Sequence, residues 1–238
     1  MLWVRPTVGN SFTEADVMGG LSGEFENWLK HEHLFSEAQV IEADINWKLA
    51  IDTFGENYHF DVLHKSSLAN DIVGNLQTWD RFERNGRMVF AGKEAFQYLH
   101  EQEIPIEKWP YRDVTLNVYF FYPNCIFLVD RAGIDILKMY PDPEDPAKSK
   151  THHSYYMRPE LLDHLQQEGR NTLEESRFVG FNKIVVDEDY AAATTVQAGA
   201  ASGAQDHFVF GKNEPALQHY HSRHREALGL APLEALMN

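Results

Sequence analysis

The middle of the chain changes period in a way that leaves few architectures open. Arg87-Met-Val-Phe-Ala, Thr115-Leu-Asn-Val-Tyr-Phe-Phe-Tyr, Cys125-Ile-Phe-Leu-Val and Ile134-Asp-Ile-Leu-Lys-Met-Tyr are short runs rich in β-branched and aromatic residues. Asn85-Gly86, Pro123-Asn124 and Ala132-Gly133 stand beside them as turn signals. Connections this short leave no room for parallel crossovers, so an antiparallel meander is the economical assembly. Residues 141–149, PDPEDPAKS, read as a Pro/Asp loop, and His152 to Met157 as a further strand. Strand-like sequence resumes on both sides of that loop, which is therefore not a domain boundary.

Helical patterns flank the strands. Residues 21–33 carry Leu21, Phe25, Trp28 and Leu29 on one face. From Asp44 to Leu63 an apolar pattern runs through Trp47, Leu49, Ile51, Phe54 and Tyr58, predicting a helix, and residues 65–80 read as a polar, mobile segment. Helix returns around Leu161, Leu162 and Leu165, from Val179 to Gln197, and from Ala216 to Leu228, with Gly199 and Gly203 in the last connection. Helix, antiparallel sheet, helices is an α+β chain, and its 238 residues are expected to form one domain.

The net charge of −15 excludes nucleic acid and anionic membrane surfaces as partners, since both need basic patches. The opening MLWVRPTVGN has neither the apolar core of a signal peptide nor the length of a spanning helix, and the lone Cys125 can form no intrachain disulfide. A soluble cytoplasmic protein is the expectation.

The chemistry concentrates in GENYHFDVLH, Gly55 to His64. On a helix Glu56 and His59, three apart, are neighbours. His59 and His64, five apart, are separated by about 140° around a regular helix, so they converge only where the helix bends, bulges or ends. That spacing excludes the HExxH zinc pattern. Two imidazoles and one distant carboxylate describe the facial triad of non-haem Fe(II) oxygenases. Two further histidine groups compete for attention. His221 and His224, in HYHSRH from His219, could share a helix face beside Arg223 and Arg225, and are assigned a solvated or packing role. His152 and His153 point to opposite faces of a strand and cannot bind one ion together.

NWKLAIDTFGENYHFDVLH (Asn46 to His64) resembles the signature of the catalytic domain in Rieske-type ring-hydroxylating oxygenase α subunits. VYFFYPNCIFLVD (Val118 to Asp130) is similar to that family's strand–turn–strand, and VVDEDYAAATTVQAGAASGA (Val185 to Ala204) to its C-terminal helix, which opens on an acidic pair. The resemblance implies a helix-grip fold and a mononuclear Fe(II) site held by His59, His64 and an aspartate at the start of that helix. Asp189 matches best, and Asp187 is the competing register. It implies that Glu56 stands in the shell around the iron and links it to a neighbouring subunit's cluster. It further implies O2 and a small hydrophobic, aromatic substrate, a ferredoxin or reductase as electron donor, and a homotrimer with or without a β subunit.

A [2Fe–2S] Rieske centre takes two cysteines and two histidines, and this sequence has one cysteine. The opening MLWVRPTVG resembles the closing strand of a Rieske domain, so residues 1–10 are expected to be the end of one, with the cluster supplied by a missing domain or a partner. The alternatives are a helix-grip module that binds a hydrophobic ligand beside a vestigial metal site and, third, a zinc hydrolase.

Overall fold

The computed structural model describes residues 9, 11–29, 32–101, 103–161 and 177–234. Leu162, Leu165 and the expected Rieske-domain remnant at residues 1–10 (residue 9 apart) lie outside them.

Seven strands form one antiparallel sheet: β1 (Leu34–Ala43), β2 (Ile72–Phe82), β3 (Asn85–Gly92), β4 (Thr115–Phe121), β5 (Cys125–Val129), β6 (Gly133–Pro141) and β7 (Ser149–Met157). Their order is β1-β7-β6-β5-β4-β3-β2. Strands β3 to β7 are the expected meander, β2 extends it on β3, and β1 closes the far side on β7. The central strands are largely apolar because both faces of the sheet are covered. Alternate residues point to opposite sides: Val118, Phe120, Ile126 and Leu128 join one core, Tyr119, Phe121, Phe127 and Val129 another. Two short helices, α1 (Glu14–Met18) and α2 (Ser22–Leu29), cover the second face and set the Phe25 ring edge-on against Tyr119, Phe121 and Phe127.

The other face carries the site. Between β1 and β2 the chain makes α3 (Trp47–Asp52) and the one-turn α4 (Phe60–Leu63). Helices α5 (Lys93–Glu101) and α6 (Tyr111–Val114) join β3 to β4. After β7 a continuous helical rod crosses the sheet: α7 (Arg177–Ile184), a π-helical turn (Val185–Tyr190) and α8 (Ala191–Ala201). The last helix is α9 (Pro215–Ala227). This is the α+β, helix-grip-like arrangement expected. None of the described helices is long and apolar enough to cross a membrane.

Buried polar contacts fix the rod against the sheet. His153 on β7 is fully buried, with Nε2 at 2.9 Å from Asp135 Oδ1 on β6 and Nδ1 at 2.7 Å from Asn182 Oδ1 on α7. Tyr190 meets Thr151 at 2.7 Å. Gln197 accepts from the Asn46 amide at 2.5 Å and donates to the carbonyls of Asp44 and Ala147, tying the rod to the N-terminus of α3.

Four expectations are corrected. The helix expected over 21–33 does not reach its predicted end: Glu32 and His33 are not helical, and β1 begins at Leu34. The helix expected from Asp44 to Leu63 breaks after Asp52, where Gly55 lets the chain pass close to Leu217 of α9. The polar segment 65–80 is mostly β2. Asn85-Gly86 is not the hairpin turn, which falls at Glu83-Arg84, with Glu83 at φ 51°. Gly86 lies in β3 under the Trp79 ring, where a Cβ would come within 2.1 Å of it.

Candidate metal centre

His59 caps the N-terminus of α4 and His64 its C-terminus. The helix is a single turn, so it begins at one imidazole and ends at the other, and the divergence of a longer helix never develops. Their Nε2 atoms lie 3.1 Å apart. Asp189, on the π-helical turn, brings Oδ1 to 3.2 Å from His64 Nε2 and 3.6 Å from His59 Nε2. The π turn puts an extra residue into the rod at this position, a feature that recurs at functional sites. Asp187, the competing register, is exposed.

The outer nitrogens are taken. His59 Nδ1 is hydrogen-bonded to Glu56, and His64 Nδ1 stands 2.6 Å from Glu188 Oε2. A carboxylate only accepts, so each Nδ1 carries its hydrogen, and in the neutral rings each Nε2 presents a lone pair. Three acceptors, two nitrogens and the Asp189 oxygen, then converge with no donor among them. A cation resolves that conflict. Donors about 2.1 Å from one ion and at right angles lie about 3.0 Å apart, close to the edges observed. Without an ion, protons take its place. Burial opposes a charge on His59, but Asp189 and Glu56 outweigh it and hold the pKa up at about 9. His64 is raised against its own burial by Asp189 and Glu188. Burial would raise Asp189, yet its hydrogen bonds from both histidines keep it below the usual carboxylate range.

Among the described residues, His59, His64 and Asp189 are the one group of three or more ligand-type side chains able to share an ion. The profile of the ring-hydroxylating α subunit, catalytic domain, matches residues 25–230. The chain belongs to that family. No curated protein sequence matches it. Among solved structures, the quaternary ammonium Rieske monooxygenase CntA with the inhibitor MMV12 superposes with a TM-score of 0.66 at 14% identity, over 92% of this chain and 56% of that one. CntA with L-carnitine gives 0.64 at 13% identity, with the same coverage. Naphthalene 1,2-dioxygenase from Rhodococcus sp. bound to indole gives 0.60 at 13%, over 91% and 62%. These likenesses show the shared fold, and the chain spans about half the length of the first of them.

In this ring-hydroxylating catalytic domain a cavity of about 530 Å³ lies between rod and sheet, opening onto His59, His64 and Asp189. Phe60, Phe90, Val118, Leu128, Ile184 and Val185 give it apolar walls, and Arg177 and Asp130, paired at 2.7 Å, bound it elsewhere.

The histidines of the two competing groups go elsewhere. His219 meets the Asn85 carbonyl at 3.1 Å, and His221 sits 2.8 Å from Asp52 with its ring stacked on Phe210. His224 packs among Trp47, Tyr122 and Tyr220. His152 is exposed while His153 is buried, as alternation requires. Glu188 and Ser67 were not singled out from sequence. A carboxylate beside Asp189 and a hydroxyl three residues after His64 were the available signals, and neither is distinctive alone.

Proposed function

We propose that the chain is the oxygenating domain of a Rieske-type ring hydroxylase, with Fe(II) held by Nε2 of His59, Nε2 of His64 and the carboxylate of Asp189. The observation that carries this reading is the convergence of three lone-pair donors whose outer nitrogens are already hydrogen-bonded to Glu56 and Glu188. Two nitrogens and one hard oxygen suit Fe(II), and three protein ligands leave open positions. When bound, the iron supplies O2 activation and the redox chemistry; the protein supplies geometry and a dry pocket.

The residues divide that work. Phe60, Phe90, Val118 and Leu128 exclude water and seat a small hydrophobic, aromatic substrate against the ligand face. Glu56 accepts the Nδ1 hydrogen of His59 and fixes its tautomer. Its side chain is 14% exposed, so it also offers a route inward for electrons from a neighbouring subunit. A single cysteine places the [2Fe–2S] centre outside these 238 residues. The domain thus works in the cytoplasm with a cluster-bearing domain or partner and a ferredoxin or reductase, as a homotrimer with or without a β subunit.

Metal analysis after anaerobic Fe(II) loading tests the reading. About one iron per chain is expected, most of it lost in Asp189→Ala and retained in Asp187→Ala. Loss in Asp187→Ala with retention in Asp189→Ala would overturn the ligand set.

A further inference from the structure

His64 is gripped at both ends by consecutive residues of the π-helical turn. Asp189 Oδ1 faces its Nε2 at 3.2 Å, and Glu188 Oε2 faces its Nδ1 at 2.6 Å. Ser67 adds a third side. Its backbone amide donates to the His64 carbonyl at 2.9 Å, and its hydroxyl donates to the same Glu188 oxygen at 2.8 Å. Glu188 Oε2 therefore receives two donors from one turn of chain, and the imidazole, the hydroxyl and the carboxylate close a ring of contacts between α4 and the rod.

We infer that Glu188 is the positioning residue of His64, acting through its Nδ1 hydrogen as Glu56 does for His59; this rests on the metal-site reading above. The two arrangements differ in a way that matters. Glu56 belongs to the segment that carries His59, so its hold is local, and its two oxygens take the ring hydrogen and the His59 backbone amide. Glu188 is 124 residues from His64 and reaches it from the element that also carries Asp189. The contact thus sets the separation of α4 from the rod, and with it the distance between the ligand His64 and the ligand Asp189. Consecutive residues of a regular helix are turned about 100° from one another. Here both carboxylates, on the π-helical turn, nonetheless meet one ring. Ser67 then fixes the Glu188 carboxylate, which is 27% exposed and would otherwise be free to turn to water.

Co(II) is the probe, titrated into the whole chain against a chromogenic chelator. Glu188→Ala should lower affinity 10- to 100-fold, the range for a group that orients a metal-bound histidine. Glu188→Gln, whose carbonyl can still accept the Nδ1 hydrogen, should cost less than 10-fold. Ser67→Ala should weaken binding a few-fold in the native chain and not at all in the Glu188→Ala background, because it acts through Glu188. In the Co(II) form each ligated imidazole gives one shifted, exchangeable Nδ1–H proton signal. Glu188→Ala should lose or shift one of the two, Glu56→Ala the other. Unchanged affinity and signals would overturn the inference. So would a loss equal to that of His64→Ala, which would make Glu188 a ligand. If Glu188→Ala does not fold, Glu188→Gln carries the test: a displaced His64 signal at near-native affinity supports the inference, an undisplaced one defeats it. A native chain that binds no Co(II) or Fe(II) would defeat the metal-site reading itself, a distinct result.

Discussion

Asp189→Ala should change the thermal stability of the chain twice, once without metal and once with it. Without metal, Asp189 is a carboxylate 7% exposed, sharing protons with two imidazoles. Removing one member of a buried ion pair leaves the others uncompensated, at a cost of about 3 kcal/mol or more. With metal, a ligand that binds only the folded state stabilises it by about 2.7 kcal/mol at a hundredfold excess over Kd. In a domain of this size each kcal/mol moves Tm by about 2–4 °C. Fe(II) should therefore raise the Tm of the native chain by about 5–11 °C at that excess. In Asp189→Ala the starting Tm should fall by about 6 °C or more. The rise on adding Fe(II) should all but vanish, because two neutral imidazoles 3.1 Å apart remain and the one anionic donor is gone. Anaerobic scanning calorimetry of both chains, at several Fe(II) concentrations in buffer free of chelators, measures all four values. A rise in Asp189→Ala as large as in the native chain would refute the assignment of Asp189, and no rise in either would refute the site.

Glu56→Gln should retain iron and peroxide-driven turnover but sharply lower NADH-driven turnover once a Rieske-containing partner is supplied; iron loss like that of His64→Ala would make Glu56 a ligand. Gly55→Ala should destabilise by about 1–3 kcal/mol in urea titration, since its Cβ would come 2.3 Å from Leu217 Cδ2, and it should weaken metal binding by moving the loop to His59. Gly23→Ala, where a Cβ meets nothing within 4 Å, is the comparison expected to show no such loss. Replacing His221 and His224 together by Gln should leave iron content unchanged, which metal analysis reads directly. Burial, foremost, holds His224 down at about 4 in the folded chain, below the usual 6.5 of an unfolded histidine. The unfolded state thus binds the extra proton first, so this stability is complete above about pH 6.5 and is lost as pH falls towards 4. His224→Phe should flatten that part of the pH–Tm curve, and an unchanged slope would show that His224 does not set it.

What could be read from the residues alone followed where burial was symmetric. Strands β4, β5 and β6 are covered on both faces and read as largely apolar runs, and shorter apolar and aromatic stretches marked β3 and β7, with the turns also legible, Asn85-Gly86 excepted. The strands that went unseen, β1 and β2, are the two edges of the sheet. Leu34, Phe35 and Val40 of β1 and Leu76 of β2 are exposed. With little of β1 and of most of β2 buried on either face, neither sequence carries a clean apolar–polar alternation to read. The site divides in the same way. His59 and His64 stood out because their spacing is awkward on a helix, and the awkwardness is what a one-turn helix resolves. Asp189 and Asp187 were indistinguishable by spacing, since the π turn that turns one inward and leaves the other exposed has no sequence signature of its own. Glu188 was hidden for a related reason. On a regular helix a residue next to an inward-facing aspartate is turned about 100° away, so spacing gives no reason to expect both carboxylates on one imidazole. The local irregularity that creates the site is thus the part of the structure a periodic reading of the chain is least able to find.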